Sequence, residues 1–339
     1  MQESKKMGKK MNVAVVGATG AVGVEVLKTL DKRNFPLKGL RLLASARSEN
    51  RRLLFRDEEL PVEVLSADSF QGIDVALFCA GAARSREFAA AAVAAGAVVV
   101  DNSSAFRMDP KVPLVVPEVN GEDVRKHQGI IANPNCTTTI MLVAVKPLYD
   151  ISPIRRIVVS TYQSASGAGA KGMDELWTQT ADVLAGKPAK PVTFQHPYAF
   201  NLFSHNTTIG ENGYNEEEMK MVNETRKIMH DDTIQVCPTC VRVPVLRSHA
   251  ESIVVEQARK VSVDEALAAL SKAPGIKVVD DRAANHFPMP NESNDQYDVL
   301  VGRIREDLSC ANGLALFVCG DQLLKGAALN AVQIAELLV

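Results

Sequence analysis

The stretch Asn12-Val13-Ala14-Val15-Val16-Gly17-Ala18-Thr19-Gly20-Ala21-Val22-Gly23 decides the fold, because an apolar run ends in a glycine-rich turn and a helical pattern follows. Glycines at a strand-to-helix turn allow a tight bend and let backbone N–H groups approach a pyrophosphate at the helix N-terminus. The spacing G-x-x-G-x-x-G differs from the usual G-x-G-x-x-G, and such turns also occur for packing alone. The candidates for cofactor binding here are Gly17, Thr19, Gly20, Ala21 and Val22.

The first third of the chain alternates short apolar runs with helical patterns. Strands are predicted at Asn12 to Val16, Leu40 to Ala44, Asp74 to Cys79 and Ala97 to Asp101, with helices after Ala21 and from Arg84 to Ala95. This rhythm predicts a parallel sheet with crossover helices. Beyond about residue 150 the pattern changes to strand-like segments at 156–161, 252–257 and 314–319 and a loop-rich stretch over 186–215, which predicts a second, α+β domain.

Length and composition limit the classes of function. With 339 residues, 46% of them hydrophobic, the chain is predicted to form two domains. Lys and Arg total 38 against 40 for Asp and Glu, so nucleic-acid and membrane partners are not expected. Met1 to Lys10 resembles an extension rather than a signal peptide. The cytoplasm is therefore the expected compartment, with the six cysteines as reduced thiols.

The end of the second predicted strand indicates which dinucleotide is bound. An NAD site usually has Asp or Glu about 20 residues beyond the glycines, where it binds the ribose hydroxyls. This chain has Ser45, Arg47 and Ser48 there instead, and a guanidinium with two hydroxyls suits the 2′-phosphate of NADP. An ordinary solvated turn is the alternative interpretation.

One cysteine lies where a helix could activate it. Asn133-Pro134-Asn135-Cys136-Thr137 leads from a buried apolar run into a helical pattern over Ile140 to Tyr149. The N–H groups and positive dipole end of a helix favour a thiolate. Cys136 is therefore a candidate nucleophile, although most cysteines are inert and buried.

Charged residues outside these motifs are candidates for holding a charged ligand. Arg107 ends a loop at the predicted carboxyl edge of the sheet, Glu217 and Lys220 are i, i+3 on a predicted helix, and Arg242 precedes His249 across a proline-interrupted stretch. Histidine suits proton transfer near neutral pH. A surface arginine, a solvated ion pair and a structural histidine are the alternatives.

Taken together, these motifs closely resemble one family, the aspartate-β-semialdehyde dehydrogenases. The resemblance covers nearly the whole chain after the first ten residues. It rests on motifs at Gly17 to Gly23, Asn102 to Arg107, Asn133 to Thr137, Gln163 to Gly169, Glu217 to Lys220, Arg242 to His249 and Asp321 to Ala328. It implies a Rossmann-type parallel-sheet domain over 1–136, an α+β catalytic and dimerisation domain over 137–321, and a C-terminal helix, 322–339, that packs back on the first domain.

The resemblance also implies a role for each candidate. Cys136 would be the nucleophile and His249 the acid/base. Gln163, Glu217 and Arg242 would bind substrate, with Arg242 on its α-carboxylate and Glu217 on its α-ammonium. Arg107 and Lys220 would bind phosphate. The positions for NADP would be Gly17, Thr19 to Val22, Ser45, Arg47, Ser48, Ser166, Gly167 and Gln322.

The implied reaction is the NADPH-dependent reductive dephosphorylation of L-aspartyl 4-phosphate to L-aspartate 4-semialdehyde. It would proceed through a cysteine thioester, without a metal, in a cytoplasmic homodimer. Such a step belongs to the biosynthesis of lysine and diaminopimelate, methionine, threonine and isoleucine.

Four alternatives remain open on the sequence alone. N-acetyl-glutamyl-phosphate reductase shares the cysteine and histidine, but its acetylated substrate gives Glu217 no purpose. Glyceraldehyde-3-phosphate dehydrogenase uses thioester chemistry with a different cysteine motif. A non-catalytic NADP sensor would need no nucleophile. A zinc-binding regulator would use Cys237-Pro238-Thr239-Cys240, which lacks a second ligand pair at finger spacing.

Overall fold

The computed structural model describes residues 9–339, so the predicted extension at Met1 to Lys10 lies almost entirely outside the described residues. Their strands are β1 (Met11–Val16), β2 (Leu37–Ala44), β3 (Arg52–Phe55), β4 (Glu58–Val64), β5 (Val75–Phe78), β6 (Val98–Asp101), β7 (Ile130–Ala132), β8 (Ile154–Gln163), β9 (Phe203–Ser204), β10 (Gln235–Arg242), β11 (His249–Gln257), β12 (Ile276–Val278), β13 (Val299–Glu306) and β14 (Gly313–Gly320). Their α-helices are α1 (Ala21–Lys32), α2 (Ala82–Ala94), α3 (Pro117–Asn120), α4 (Cys136–Ile151), α5 (Ala170–Leu184), α6 (Glu216–Met229), α7 (Val263–Leu270), α8 (Pro290–Ser293) and α9 (Leu329–Glu336). No helix within residues 9–339 has both the length and the apolar character that a membrane span needs.

The chain forms two compact units. Unit 1 comprises the described residues up to Pro117 together with Gly121–Pro134 and Ala327–Val339, and unit 2 comprises Glu118–Asn120 and Asn135–Gly326. The division into functional domains at residues 136 and 321 remains a prediction.

Unit 1 is built on a largely parallel seven-stranded sheet in the order β3-β4-β2-β1-β5-β6-β7. All neighbouring pairs are parallel except β3 with β4. The predicted Rossmann-type sheet is therefore confirmed. The chain builds outwards from β1 on one side and then continues at β5 on the other, so the order reverses between these two strands. Open α/β sheets bind ligands at the carboxyl ends of strands at such a point.

Both faces of this sheet are covered by apolar side chains. Val13 and Val15 of β1 share one buried cluster with residues of α1 and α9, and Ala14 and Val16 share another with residues of α2. Alternate residues of a strand point to opposite faces, so Val13 to Val16 of β1 have to be apolar in succession. The C-terminal helix, predicted over 322–339, is present as a π-helical turn, Leu324–Ala328, that continues into α9.

Unit 2 contains a mixed seven-stranded sheet in the order β12-β13-β14-β11-β8-β10-β9. Strand β8 pairs in parallel with β10 and antiparallel with β11. The predicted α+β character is confirmed, and the three strands expected at 156–161, 252–257 and 314–319 are present as the longer strands β8, β11 and β14. Parallel pairing brings the carboxyl ends of β8 and β10 together, where Gln163 lies beside Arg242.

Candidate active site

The glycine-rich turn of unit 1 requires a residue without a Cβ at two positions. Gly17 has a φ of +85°, and a Cβ there would lie 2.8 Å from the carbonyl oxygen of Cys79, at the end of β5. A Cβ on Gly23 would lie 2.2 Å from the carbonyl oxygen of Gly17. Both contacts are too close for any side chain, so these glycines allow the turn to pack on its neighbours.

This turn borders a groove of about 470 Å³ whose lining includes Gly17, Thr19, Gly20, Ser45, Arg47 and Arg84. A volume of this size is typical of ligand sites. Gly20 caps α1 without a side chain, and Ala21 and Val22 are its first residues, so the N–H groups of the first turn have no side-chain cap. Ser48 is buried, with its hydroxyl 3.2 Å from that of Thr19. The groove therefore contains the features a dinucleotide pyrophosphate needs.

Arg107 is also in unit 1, and the backbone fixes its direction. Its Nε donates to the carbonyl oxygen of Asn133 at 2.9 Å, and its Nη2 donates to that of Asn102 at 3.0 Å. Asn133 in turn donates through Nδ2 to Oδ1 of Asn102 at 2.9 Å. Arg107 is 8% exposed, so this guanidinium is held in one orientation.

Cys136 of unit 2 is the first residue of α4, which begins four residues earlier than the predicted helix. Asn135 is the N-cap, and its Oδ1 accepts from the backbone N–H groups of Thr137 at 3.0 Å and Thr138 at 3.3 Å. The backbone N–H of Asn135 donates to Glu224 at 2.6 Å. The thiol is half-buried at the positive end of the helix dipole.

Glu217 is the anionic side chain of the pocket of unit 2, a name used for the cluster of Cys136, Gln163, Glu217, Arg242 and His249. It is 5% exposed, accepts from Lys220 Nζ at 2.8 Å on one oxygen, and accepts from Asn135 Nδ2 at 2.8 Å on the other. Gln163 Nε2 approaches the second oxygen at 3.4 Å. Burial alone would raise the pKa of Glu217, but the charge interactions with Lys220 and His205 and the hydrogen bonds from Lys220 and Asn135 together lower the pKa to about 2. Glu217 is therefore ionised at neutral pH.

Arg242 is the buried cation of this pocket. It is 6% exposed, and its guanidinium donates to the carbonyl oxygen of Ser164 at 3.3 Å and approaches His205 Nε2 at 2.9 Å. One face of the guanidinium lies 5.1 Å from the ring centre of Phe194. Burial lowers the pKa of Arg242, and Cys136 is among the groups whose charge raises it. The guanidinium is thus held by contacts from several segments of unit 2.

His249 is completely buried at the start of β11. The backbone N–H of Ser164 donates to its Nδ1 at 3.0 Å, so in the neutral ring the proton is on Nε2. Among residues 9–339, Nε2 has no hydrogen-bond partner. Burial and the charge of Arg242 lower the pKa of His249 to about 3. A neutral imidazole with an unpaired N–H is suited to donate to a ligand oxygen.

The remaining predicted cofactor residues of unit 2 lie next to this histidine. Gln322 donates through Nε2 to the hydroxyl of Ser166 and accepts from the backbone N–H of Ser248 at 2.8 Å. A Cβ on Gly167 would lie 3.3 Å from Cε1 of His249. Gly167 therefore leaves room beside the imidazole.

Several site residues were missed by the sequence analysis. Asn135, Ser164 and His205 contact predicted site residues. Glu224 accepts from Asn135, and Arg84 lines the groove of unit 1. Asn135 was visible as a helix N-cap residue before Cys136. The other contacts join residues far apart in the sequence and left no local signal.

The predicted alternative zinc pair lies on β10. Cys237 is exposed and Cys240 is buried. Residues three apart on a strand point to opposite faces, so the two thiols cannot share an ion there. Residues 9–339 contain no group of three or more His, Cys, Asp or Glu side chains arranged to hold a metal.

Two family models match most of the chain. Residues 12–127 match the semialdehyde dehydrogenase NAD-binding domain, and residues 145–325 match the semialdehyde dehydrogenase dimerisation domain. A curated aspartate-semialdehyde dehydrogenase of Synechocystis sp. is 56% identical over 98% of both chains. The chain belongs to the aspartate-semialdehyde dehydrogenase family. Its members are oxidoreductases, and the first matched domain indicates a nicotinamide cofactor.

Other members of the aspartate-semialdehyde dehydrogenase family match as fully. The curated enzyme of Aquifex aeolicus is 53% identical, over 96% of this chain and 97% of its own. A solved structure of aspartate semialdehyde dehydrogenase II from Vibrio cholerae, described as complexed with ASA, has a TM-score of 0.95 and 46% identity over 98% of both chains. The predicted family is therefore confirmed, and the fold is shared over nearly the full length.

Proposed function

We propose that this chain catalyses the NADPH-dependent conversion of L-aspartyl 4-phosphate to L-aspartate 4-semialdehyde and phosphate. The names of its relatives, all aspartate-semialdehyde dehydrogenases, support this substrate. The step would serve the biosynthesis of lysine and diaminopimelate, methionine, threonine and isoleucine.

The charge arrangement around Cys136 is the observation that carries this proposal. An amino acid with a side-chain phosphate needs one anionic and two cationic sites. The buried carboxylate of Glu217 would bind the α-ammonium, and Arg242 would bind the α-carboxylate through a planar fork. Lys220 of unit 2 and Arg107 of unit 1 are the proposed phosphate ligands. An N-acetylated substrate has no α-ammonium for the ionised Glu217 to bind, so the reductase alternative is disfavoured.

The residues of the unit 1 groove fit NADP. Backbone N–H groups of the first turn of α1 would bind the pyrophosphate, and Ser45, Arg47 and Ser48 would bind the 2′-phosphate. Ser166, Gly167 and Gln322 would approach the nicotinamide end. When bound, NADPH supplies the hydride that reduces the substrate.

The nucleophile would be Cys136. Its sulfur would attack the acyl carbon, the carbon–phosphate oxygen bond would break, and phosphate would leave behind a thioester. The helix N-terminus favours the thiolate, and Asn135 holds the helix start in place. After reduction, the carbon–sulfur bond of the thiohemiacetal would break to give the aldehyde and regenerate the thiolate.

His249 would control the proton of the tetrahedral intermediates. Because Ser164 fixes the neutral tautomer, Nε2–H would donate to the developing oxyanion. Gln163 would help to orient the substrate carbonyl group. The neutral imidazole avoids a second positive charge beside Arg242, in agreement with the low pKa of His249.

We also propose that the protein acts as a homodimer in the cytoplasm. The match of unit 2 to a dimerisation domain supports self-association. Unit 2 also exposes large apolar side chains, among them Trp177 at 69% and Val192 at 86%, which a partner could cover. Light scattering coupled to size-exclusion chromatography would measure the mass directly.

One assay tests the proposed reaction. NADPH absorbance is followed with purified protein, NADP, phosphate and L-aspartate semialdehyde, in parallel with N-acetyl-glutamate semialdehyde and without phosphate. Phosphate-dependent NADPH formation from the first aldehyde alone is expected. Turnover only with the acetylated aldehyde would identify the rival reductase. Folded protein that binds NADP but turns over neither aldehyde would favour a sensor.

A further inference from the structure

His205 is a buried titratable residue that the mechanism above does not use. It follows β9, whose two residues pair with the end of β10, and its backbone N–H donates to the carbonyl oxygen of Cys240 at 2.8 Å. His205 is only 8% exposed. The ring is thus fixed beside Arg242 by the edge of the sheet.

One ring nitrogen of His205 contacts Arg242 directly, and the other is linked to Glu217 through Thr207. Nε2 lies 2.9 Å from Nη2 of Arg242, and Nδ1 lies 3.3 Å from the hydroxyl oxygen of Thr207. That hydroxyl oxygen also accepts from the backbone N–H of Glu217 at 3.2 Å. His205 therefore joins the proposed carboxylate ligand to the start of the helix that carries the proposed ammonium ligand.

The chemistry of arginine fixes the proton on this ring. A guanidinium offers only donors, so Nε2 must accept and the neutral ring must carry its proton on Nδ1, where Thr207 can accept it. Burial lowers the pKa of His205 to about 4; the charges of Arg242 and Lys220 also lower it, and Glu217 opposes them. The ring is therefore neutral across the physiological range.

We propose that His205 is a positioning residue for Arg242, holding the guanidinium in the orientation that presents its other N–H groups to the substrate carboxylate. This inference rests on the proposed function. A carboxylate at this position would also accept from Nη2, but it would neutralise Arg242 and compete with the substrate. Histidine supplies an uncharged acceptor, so the guanidinium is held in place and its charge stays available.

Two amide substitutions separate the contacts of the ring. In His205→Gln the amide oxygen can replace Nε2 and keep the contact with Arg242. In His205→Asn the shorter amide can replace Nδ1 and keep the contact with Thr207, while the acceptor for Arg242 is lost. His205→Glu restores an acceptor but adds a negative charge.

The expected readout is a change in KM for L-aspartate semialdehyde with little change in kcat. The Gln variant should stay within about three-fold of the wild type. The Asn variant should raise KM about ten-fold, and the Glu variant should raise it further. KM for NADP should be unchanged in all three. Equal KM values for the Gln and Asn variants, or a Glu variant that matches the Gln variant, would overturn the proposal.

A second measurement does not depend on turnover. In protein with ¹⁵N-labelled histidine, the imidazole resonances missing from the Gln variant belong to His205. At pH 7 they should report a neutral ring with its proton on Nδ1, and Arg242→Met should shift them towards a tautomer mixture. A proton on Nε2 in the wild type would refute the contact with Arg242. If the tautomer is as expected but neither aldehyde is consumed, the proposed function fails and the positioning of Arg242 stands.

Discussion

The groove of unit 1 and the pocket of unit 2 differ in whether backbone or side chains form them. The groove depends on backbone groups and on residues without a Cβ, because a Cβ at Gly17 or Gly23 would collide with a carbonyl oxygen. The pocket uses buried ionisable side chains, Glu217, Arg242 and His249, each held by hydrogen bonds from distant segments. A substitution in a site formed by backbone should distort the whole site through steric clashes. A substitution in a site formed by side chains should remove one property, such as catalysis or substrate binding, and leave the others.

The largest expected effect is a loss of turnover in the pocket without a loss of NADP binding. Cys136→Ala should lower turnover by at least ~10⁴-fold, because no other group replaces the nucleophile. NADP affinity, measured by fluorescence titration, should be unchanged. Cys237→Ala is the matched control, since Cys237 is an exposed thiol on β10. Ordinary activity in the Cys136 variant would contradict the covalent route.

Two glycines of one turn test the steric character of the groove. Gly23→Ala should lower the free energy of unfolding by about 3 kcal/mol and abolish NADP binding, because its Cβ would lie 2.2 Å from the carbonyl oxygen of Gly17. Gly20→Ala should cost about 1 kcal/mol or less, since its Cβ would lie 3.3 Å from the same atom. Urea unfolding of both variants measures the difference. Similar losses would mean that crowding does not govern this turn.

Arg242→Lys tests the opposite property in the pocket. Lysine keeps the charge but lacks the planar fork, so KM for the semialdehyde should rise ~100-fold while KM for NADP stays constant. Initial-rate kinetics with each substrate varied in turn provide both values. Thermal unfolding of the variant controls for a general loss of structure. An equal rise in both KM values would mean that the two sites are not separable.

The same contrast explains what could be predicted from the sequence. The glycine turn is one contiguous motif, and Glu217 and Lys220 are one helical turn apart, so both were visible locally. The contact between His205 and Arg242 spans 37 positions, and only the pairing of β9 with β10 creates it. The early start of α4 was hidden because Thr137 to Thr139 are poor helix formers, and the N-cap contacts of Asn135 overcome that tendency.

The strand β10 was missed for a related reason. Pro238 lies in its middle, and proline argues against a central strand. However, β9 pairs only with Val241 and Arg242, so one edge of β10 is open at Pro238. The Rossmann-type half was therefore easier to predict because its parallel strands are continuous apolar runs. The mixed sheet of unit 2 depends on pairings between distant segments.

Buried carboxylates provide a test with a pH dependence. In unit 2, Glu251 is fully buried, and neither oxygen has a hydrogen-bond partner among residues 9–339. Burial raises its pKa well above 4.5. In unit 1, buried Asp101 instead accepts from Ser85 at 2.6 Å and from Ser103 at 2.7 Å. Glu251 is thus costly to ionise, whereas Asp101 has hydrogen-bond donors on both oxygens.

Glu251→Gln should therefore stabilise the protein at high pH. The folded state keeps the Glu251 proton above pH 4.5 while the unfolded state releases it, so wild-type stability falls as pH rises through this range. The variant should gain about 1 to 2 kcal/mol at pH 8 and little at pH 5, measured by urea unfolding. Asp101→Asn, the control, should destabilise at both. A Gln variant less stable than the wild type at pH 8 would contradict the assignment.

The smallest expected effect concerns the one charged side chain proposed to select the cofactor. Arg47 is exposed and lines the groove, so its bond to a 2′-phosphate would be partly screened by solvent. Arg47→Ala should raise KM for NADP about ten-fold and leave KM for NAD unchanged, because the backbone contacts to the pyrophosphate remain. Arg51→Ala, at another exposed arginine nearby, controls for the loss of surface charge. If KM for both dinucleotides rises equally, Arg47 contributes general attraction. If only KM for NADP rises, even a groove built from backbone owes its selectivity to a side chain.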